Sequence, residues 1–265
     1  MRYQGSKKRI AAHVVKLIQD NIGDRTYVEP FIGGCNVFKD VIAKHKIGAD
    51  ANAYVIGIWQ GLKDGSLTIP DDISKPFYYD VKQSYKDGDG RYSKGMIGIV
   101  GILGSYGGKF FNGYANFNPK KNENHVQEAL SGLRRDWNGL RCKSESEFVF
   151  SDYRKLAIPK HSLIYCDPPY QNTSKYNGTD DFDSEAFWGW CRMQEANDNI
   201  VIVSEYNAPE DFVCVWQKEI KCGMDSRQGE KQSLRVEKMF VHKNRLKNFV
   251  VSKNCPIFVL QTIKQ

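Results

Sequence analysis

The residues best placed to do chemistry are Asp167, Pro168, Pro169 and Tyr170, which follow the apolar run Leu-Ile-Tyr-Cys at 163–166. The run predicts a buried strand of a parallel sheet, and the prolines must end it because they cannot donate ladder hydrogen bonds. Ligands bind beyond the carboxyl ends of strands in open α/β sheets. The turn offers a carboxylate, backbone carbonyls and an aromatic ring, which can accept N–H groups and stack on a flat ligand.

A second candidate site lies in the sequence Thr-Tyr-Val-Glu-Pro-Phe-Ile-Gly-Gly at 26–34. It predicts a short strand, a glycine turn and then a helix from about Asn36, which is the geometry of a nucleotide-binding turn. The glycine spacing is not that of the dinucleotide fingerprint, and Glu29 would repel a phosphate, so a cofactor with a positive group fits better. Asp50 ends the next predicted strand, 17 residues after Gly33, where an acid can accept hydrogen bonds from ribose hydroxyls.

Methyl transfer to an exocyclic amine is the chemistry that these groups suit. Such an amine is a poor nucleophile because its lone pair is delocalised into the ring. Asp167 and the Pro168 carbonyl can each accept one N–H bond, which favours a tetrahedral nitrogen and aims its lone pair at the methyl donor. Tyr170 would stack on the base once it is flipped out of its helix. The sequence has no Walker lysine motif, nucleophile elbow or candidate catalytic triad that would favour another reaction.

The composition is that of a globular protein with a mild basic excess. Its 265 residues include 38 Lys and Arg against 31 Asp and Glu, for a net charge of +7, which favours a polyanionic partner such as nucleic acid. The seven cysteines form no Cys-x-x-Cys pair and the five histidines are scattered, so the sequence argues against a disulfide framework and against a metal site. With no signal peptide and no apolar run that could span a bilayer, we expect a cytoplasmic protein with no membrane partner.

Strands that alternate with helices predict an α/β fold with a mostly parallel sheet. Besides the strands above, we predict strands at 147–153, 199–206, 212–220, 236–242 and 249–263. Helices are predicted from about residue 10, with Ser6 as a candidate cap, and at 54–61, 77–85, 124–137 and 184–195.

Residues 53–145 differ in composition from the segments on either side, so we predict a catalytic domain at 1–52 and 146–265 and a mostly helical insert at 53–145. A loop at 104–119 interleaves glycine, asparagine and aromatic residues, which suits stacking on bases and contact with phosphates. An ordinary surface hairpin is the competing interpretation of this loop. The candidates for nucleic-acid contact are Lys109, Asn112, Tyr114, Asn116, Arg134 and Arg135.

Several of these motifs, in this order, resemble those of the amino-methylating DNA adenine methyltransferases of the Dam type, the D12 family of class alpha. Residues 167–170 resemble the family's Asp-Pro-Pro-Tyr, and 29–34 resemble its Asp/Glu-Pro-Phe-x-Gly-x-Gly, with Cys35 in place of the second family glycine. Residues 3–7 resemble the N-terminal Tyr-x-Gly-x-Lys motif, and 151–153 resemble the segment that reads the cofactor adenine.

The resemblance implies a Rossmann-like S-adenosylmethionine-dependent methyltransferase sheet with a target-recognition insert. It also implies a site-specific, adenine-specific DNA methyltransferase with S-adenosylmethionine as cofactor and double-stranded DNA as partner. The cofactor residues that it implies are Tyr3, Gln4, Gly5, Lys7, Glu29, Pro30, Phe31, Gly33, Gly34, Asp50, Asp152 and Tyr153.

Three alternatives stay open. The acceptor could be N4 of cytosine in DNA or an adenine in RNA, although Asp-Pro-Pro-Tyr favours adenine and the motif order favours DNA. An inactive DNA-binding regulator is disfavoured by the intact Asp167, Phe31 and Asp50. A protein or small-molecule methyltransferase would more often carry Asn in place of the motif Asp. The sequence leaves undetermined the recognition sequence, the oligomeric state and whether a cognate restriction enzyme is a partner.

Overall fold

The computed structural model describes residues 1–3, 5–119, 122–169, 182–221 and 234–251. The strands are β1 (Thr26–Glu29), β2 (Lys46–Asp50), β3 (Ser146–Phe150), β4 (Ser162–Cys166), β5 (Ile200–Glu205), β6 (Phe212–Lys221) and β7 (Leu234–His242). The helices are α1 (Ala11–Ile22), α2 (Ala53–Asp64), α3 (Lys75–Asp87), α4 (Lys94–Leu103), α5 (His125–Asn138) and α6 (Ser184–Ala196).

The strands form one sheet in the order β3-β2-β1-β4-β5-β7-β6. The pairs β2–β3, β1–β4 and β4–β5 are parallel, whereas β7 is antiparallel to both β5 and β6. The strand order reverses its direction after β1, as it does in doubly wound sheets. The predicted α/β class, Rossmann-like with a mostly parallel sheet, is therefore confirmed.

The chain divides into two compact units. The first comprises Met1–Lys16 and Glu29–Ala157, and its core is built by β2, β3 and the insert helices. The second comprises Leu17–Val28 and Ile158–Gln265, and its core centres on β4, in which all five residues are buried. The division into a catalytic domain and an insert at 53–145 stays a prediction. None of the helices in the described ranges is long and apolar enough to cross a membrane.

Helix α4 is the main element that the sequence analysis missed. Its sequence, Lys-Gly-Met-Ile-Gly-Ile-Val-Gly-Ile-Leu, carries three glycines that normally weaken a helix. The structure shows why they are there, because α4 packs against α2 at backbone distance. A Cβ atom at Gly95 would lie 2.6 Å from the Gly57 carbonyl oxygen, and one at Gly98 would collide with the Tyr54 carbonyl.

Two predicted elements near the glycine turn were wrong in detail. No α-helix begins at Asn36; a 3-10 turn, Phe38–Asp40, ends after three residues because Val41 has an extended backbone. Strand β3 stops at Phe150 instead of continuing to residue 153, because the Asp152 carbonyl accepts the N–H groups of Lys155 and Leu156 and so begins a turn.

The two chain segments at the ends of the predicted pattern also differ. Ser6 accepts a hydrogen bond from the Lys8 N–H and caps a 3-10 turn, Lys7–Arg9, instead of α1. Of the strand predicted at 249–263, residues 249–251 have no regular structure and the rest lies outside the described residues.

Candidate functional site

The glycine turn of the first unit is tied to β2 through its main chain and through one acid. The Ile32 N–H donates to the Ala49 carbonyl at 2.9 Å, and the Gly33 N–H donates to Asp50 Oδ2 at 2.9 Å. Glu29, at the start of the turn, is buried. The acid at the end of β2 is thus hydrogen-bonded to the glycine turn, and its assignment to ribose hydroxyls stays a prediction.

Asp50 also organises the start of α2. Its Oδ1 accepts the Asn52 N–H at 2.9 Å, and the Asn52 side chain in turn caps α2 through the N–H groups of Tyr54 and Val55. Burial raises the pKa of Asp50 from 3.8 to about 6, against the two backbone N–H groups that lower it. Since each carboxylate oxygen has a further lone pair, Asp50 can still accept hydroxyl groups from a ligand.

Trp59 is a site residue that the sequence analysis missed. From α2 its Nε1–H donates to the Gly33 carbonyl oxygen at 3.3 Å, so both polar groups of the Gly33 backbone are bound to side chains. The apolar spacing of α2 predicts that Trp59 is buried, and it is. Its partner, 26 residues earlier, is a tertiary contact that no local pattern indicates.

The turn requires small residues because Tyr3 packs against it. A Cβ atom at Gly33 would lie 3.1 Å from the Tyr3 ring, and one at Gly34 would lie 3.0 Å from the Tyr3 Cβ. Cys35, which replaces a family glycine, has a left-handed backbone with φ 58° and is buried. The departure from the motif therefore keeps the glycine-like conformation. Burial raises the pKa of the Cys35 thiol well above its usual range.

The residues of the N-terminal motif differ in solvent exposure. Tyr3 and Lys7 are half-buried and Gly5 is exposed with φ 77°, while Gln4 lies outside the described residues.

An aromatic pair joins the glycine turn to the segment after β3. The rings of Phe31 and Tyr153 have centroids 5.4 Å apart, and the Arg154 guanidinium lies 5.6 Å from the Tyr153 ring centroid. Arg154 also binds the Asp152 carboxylate through Nε and Nη2, both at 2.8 Å, and this lowers the pKa of Asp152. The Ser151 N–H donates to the Asp50 carbonyl at 3.1 Å, so this segment is fixed beside the end of β2.

In the second unit, the predicted catalytic residues follow β4 directly. Asp167 and Pro169 are half-buried and Pro168 is buried, whereas Tyr170 lies outside the described residues. Within β4 the Tyr165 hydroxyl donates to Ser204 Oγ of β5 at 3.1 Å. The strand end is thus supported by buried hydrogen bonding between neighbouring strands.

The predicted nucleic-acid residues of the insert fall into two groups. Lys109, Asn112, Asn116 and Arg135 are exposed. Tyr114 and Arg134 bind the insert itself: the Tyr114 hydroxyl donates to the Ile73 carbonyl at 2.8 Å, and Arg134 Nη2 donates to the Pro70 carbonyl at 2.6 Å. Among the described residues no cluster of His, Cys, Asp or Glu could hold a metal ion.

Part of the chain matches the model of a known protein family. Residues 3–95 match the model of the D12 class N6 adenine-specific DNA methyltransferases. The type II methyltransferase M.FokI of Planomicrobium okeanokoites is 26% identical over 211 residues, which cover 74% of this chain and 32% of that protein. The DNA adenine methylase of Haemophilus influenzae is 26% identical over 186 residues, which cover 64% of this chain and 63% of that protein. The chain thus spans less than two thirds of the length of either relative.

Among solved structures, a precorrin 8W decarboxylase from Methanobacterium thermoautotrophicum is similar to this chain at 10% identity and a TM-score of 0.38, covering 88% of this chain and 89% of that one. A likeness at that level says nothing about substrate or reaction. The matched segment 3–95 contains the N-terminal motif, the glycine turn and Asp50. The resemblance of this chain to the D12 class of N6 adenine-specific DNA methyltransferases is thereby confirmed.

Proposed function

We propose that this protein transfers a methyl group from S-adenosylmethionine to the N6 amine of an adenine flipped out of a specific DNA sequence. The observation that carries the proposal is the match of 3–95 to an adenine-specific DNA methyltransferase family over the residues that build the glycine turn and Asp50. We also propose that the protein acts in the cytoplasm and that the segment 53–145 recognises the DNA target.

The residues of the first unit fit the proposed cofactor. Gly33 and Gly34 keep the turn free of Cβ atoms, Glu29 supplies negative charge, and Asp50 supplies acceptors for ribose hydroxyls. The Phe31 and Tyr153 rings offer apolar faces for a base. We assign Asp50 to the ribose, Tyr153 with Asp152 to the adenine, and Tyr3, Gln4, Gly5 and Lys7 to the methionine end, with Lys7 near the target base.

The chemistry at the acceptor requires only groups that accept hydrogen bonds. The cofactor, when bound, supplies an electrophilic methyl group. The Asp167 carboxylate and the Pro168 carbonyl accept the two N–H groups of the adenine amine, which draws its lone pair out of conjugation. As the nitrogen takes the methyl group, the methyl–sulfur bond would break and leave a neutral thioether, and the nitrogen would then lose one proton to solvent water. Pro169 stiffens the turn, and Tyr170 supplies the stacking surface for the flipped base.

The exposed residues of the insert are the proposed DNA contacts. Lys109 and Arg135 bring positive charge for phosphates, and Asn112 and Asn116 bring amide groups that can read base edges. We propose Tyr114 and Arg134 as further contacts, and both also maintain the insert fold through their main-chain hydrogen bonds.

The test of this function is methylation of DNA by the chain and by Asp167→Ala. Methylation-sensitive sequencing of DNA from cells that express the chain alone identifies the base and its sequence context. We expect N6-methyladenine at one recurring sequence, and we expect Asp167→Ala to abolish it while cofactor binding, measured by calorimetry, changes less than about threefold.

Glu210→Ala is the matched control, because it removes an exposed carboxylate from the same unit. It should methylate at the rate of the unaltered chain. Methyl groups found only on cytosine, or turnover retained by Asp167→Ala, would contradict the assignment.

A further inference from the structure

The insert loop at 104–115 is closed by main-chain hydrogen bonds at three points. The Tyr106 N–H donates to the Gly113 carbonyl at 3.1 Å, and the Ala115 N–H donates to the Gly104 carbonyl at 2.8 Å. In the middle of the loop, the Phe111 N–H donates to the Gly101 carbonyl of α4 at 2.8 Å. The loop therefore has a fixed base and an anchored centre, unlike the flexible loop that its composition suggests.

Phe111 adopts an unusual backbone conformation in this anchored loop. Its φ is +48°, a left-handed value that a bulky residue rarely adopts unless its surroundings impose it. The ring is buried, stacked on Tyr85 with centroids 5.4 Å apart and edge-on to Tyr78 at 5.5 Å. Gly101 permits this packing, since a Cβ atom there would lie 3.0 Å from the Phe111 ring.

Lys82 of α3 binds the other side of the same residue. Its Nζ donates to the Phe111 carbonyl oxygen at 2.9 Å in a partly buried hydrogen bond. A charged donor makes this bond stronger than one between neutral groups. The Phe111 backbone is thus held by α4 through its N–H and by α3 through its carbonyl, and the exposed Asn112 follows directly in the chain.

We propose that Lys82 is a positioning residue for target recognition, which holds Phe111 in its left-handed conformation and thereby aims Lys109 and Asn112 at the DNA. This inference rests on the proposed function, because it assigns part of the sequence discrimination to the insert loop. Lys82 acts through the Phe111 carbonyl and not through a contact of its own with a base.

The test compares Lys82→Met with Lys86→Met, which removes an exposed lysine one turn later on the same helix. The substrates are duplexes that carry the methylated sequence, found by sequencing, and duplexes with one base pair changed. For Lys82→Met we expect the ratio of kcat/KM between the two duplexes to fall about tenfold, which is within the usual discrimination per base pair. The dissociation constant for S-adenosylmethionine should change less than about twofold, and Lys86→Met should behave like the unaltered chain.

Lys82→Arg retains a charged donor and should recover most of the discrimination. If Lys82→Met does not fold, Lys82→Gln, whose donor is shorter and uncharged, takes its place and should lie between Lys82→Arg and the tenfold loss. A lower melting temperature with unchanged discrimination would mean that Lys82 only stabilises the insert, and it would overturn the inference while the proposed function stands. An unaltered chain that methylates no DNA adenine would overturn the proposed function and this inference with it.

Discussion

Two loops of the first unit each contain a non-glycine residue with a left-handed backbone, Cys35 in the glycine turn and Phe111 in the insert loop. The charged groups that bind the two loops have opposite signs. The glycine turn is bound by the Asp50 carboxylate at an N–H and by the Trp59 indole at a carbonyl. The insert loop is bound by the Lys82 ammonium at a carbonyl and by the packed ring of Phe111.

The difference concerns what each loop leaves available to a ligand. At the glycine turn, Gly33 and Gly34 leave the main chain without side chains, the Asp50 carboxylate binds the turn, and the half-buried ring of Phe31 is part of it. In the insert loop the backbone is held internally, while Lys109 and Asn112 are exposed. A loop that uses its backbone suits a cofactor of fixed shape, whereas one that displays side chains suits a target whose sequence must be read.

The largest expected effect is a difference in stability between variants of Cys35 and Phe111. Substitution by glycine removes the backbone strain at both, but Phe111→Gly also deletes a buried ring and should lower the free energy of unfolding by about 3 kcal/mol. Cys35→Gly deletes only a small side chain and should change it by less than about 1 kcal/mol. Urea denaturation measures both values. Equal losses would show that the two residues are held by similar packing.

Removal of the acid should weaken cofactor binding and leave DNA affinity nearly unchanged. Asp50→Ala deletes the proposed acceptor for ribose hydroxyls and the anchor of Gly33, and we expect S-adenosylmethionine to bind about thirtyfold more weakly, or about 2 kcal/mol. DNA affinity, measured separately by fluorescence anisotropy, should stay within about twofold. Asp50→Asn keeps one acceptor oxygen and should fall between. An unchanged cofactor dissociation constant for Asp50→Ala would refute the ribose role.

A pair of glycine substitutions tests the crowding around the turn. Gly33 and Gly107 both have positive φ, 42° and 69°, so alanine strains the backbone at each. Only at Gly33 does the new Cβ meet a neighbour, the Tyr3 ring at 3.1 Å. Gly33→Ala should therefore cost about 1 to 2 kcal/mol more stability than Gly107→Ala and should also weaken cofactor binding. Similar results for the two variants would contradict the assignment of Tyr3 to the cofactor site.

The smallest expected effect is a dependence on pH. Because burial raises the pKa of Asp50 to about 6, the folded protein holds this proton more tightly than the unfolded chain does. Its contribution to stability is therefore present at low pH and is lost as the pH rises from 3.8 through about 6. A ligand that needs the ionised carboxylate should bind about tenfold more weakly at pH 5 than at pH 7. Calorimetry with Asp50→Asn, which should show no such change, is the check.

Much of the fold could be predicted because its signals are local. The apolar runs of β4 and β5 and the alternation of strands and helices are signals that act within a few residues of the chain. The same holds for the relation of Asp50 to the glycine turn, since a known arrangement links the two at that spacing.

What the sequence could not predict are the contacts that join distant segments. The glycines of α4 argue against a helix when the sequence is considered alone, and only the packing of α2 against them explains their presence. The sequence signal for this helix was a glycine at every third residue after the Ser93 cap. Trp59 and Lys82 each bind a main-chain carbonyl more than 25 residues away. Their chemical types allow many partners, and only tertiary packing selects one.

Helix α2 also limits how recognition could be exchanged between related enzymes. Trp59 binds the glycine turn, while Gln60 and Lys63 bind the Phe148 and Ser146 carbonyls of β3. A chimera that replaced 53–145 as a block would remove these three donors together with the insert loop. A crossover could instead be placed after Gly65, whose left-handed backbone ends α2. It would transfer α3, α4 and the loop, but it would separate α4 from Gly57 of α2, against which it packs. A replacement insert is therefore compatible only if its equivalent of α4 has a glycine opposite Gly57. Candidate inserts should be selected for that glycine.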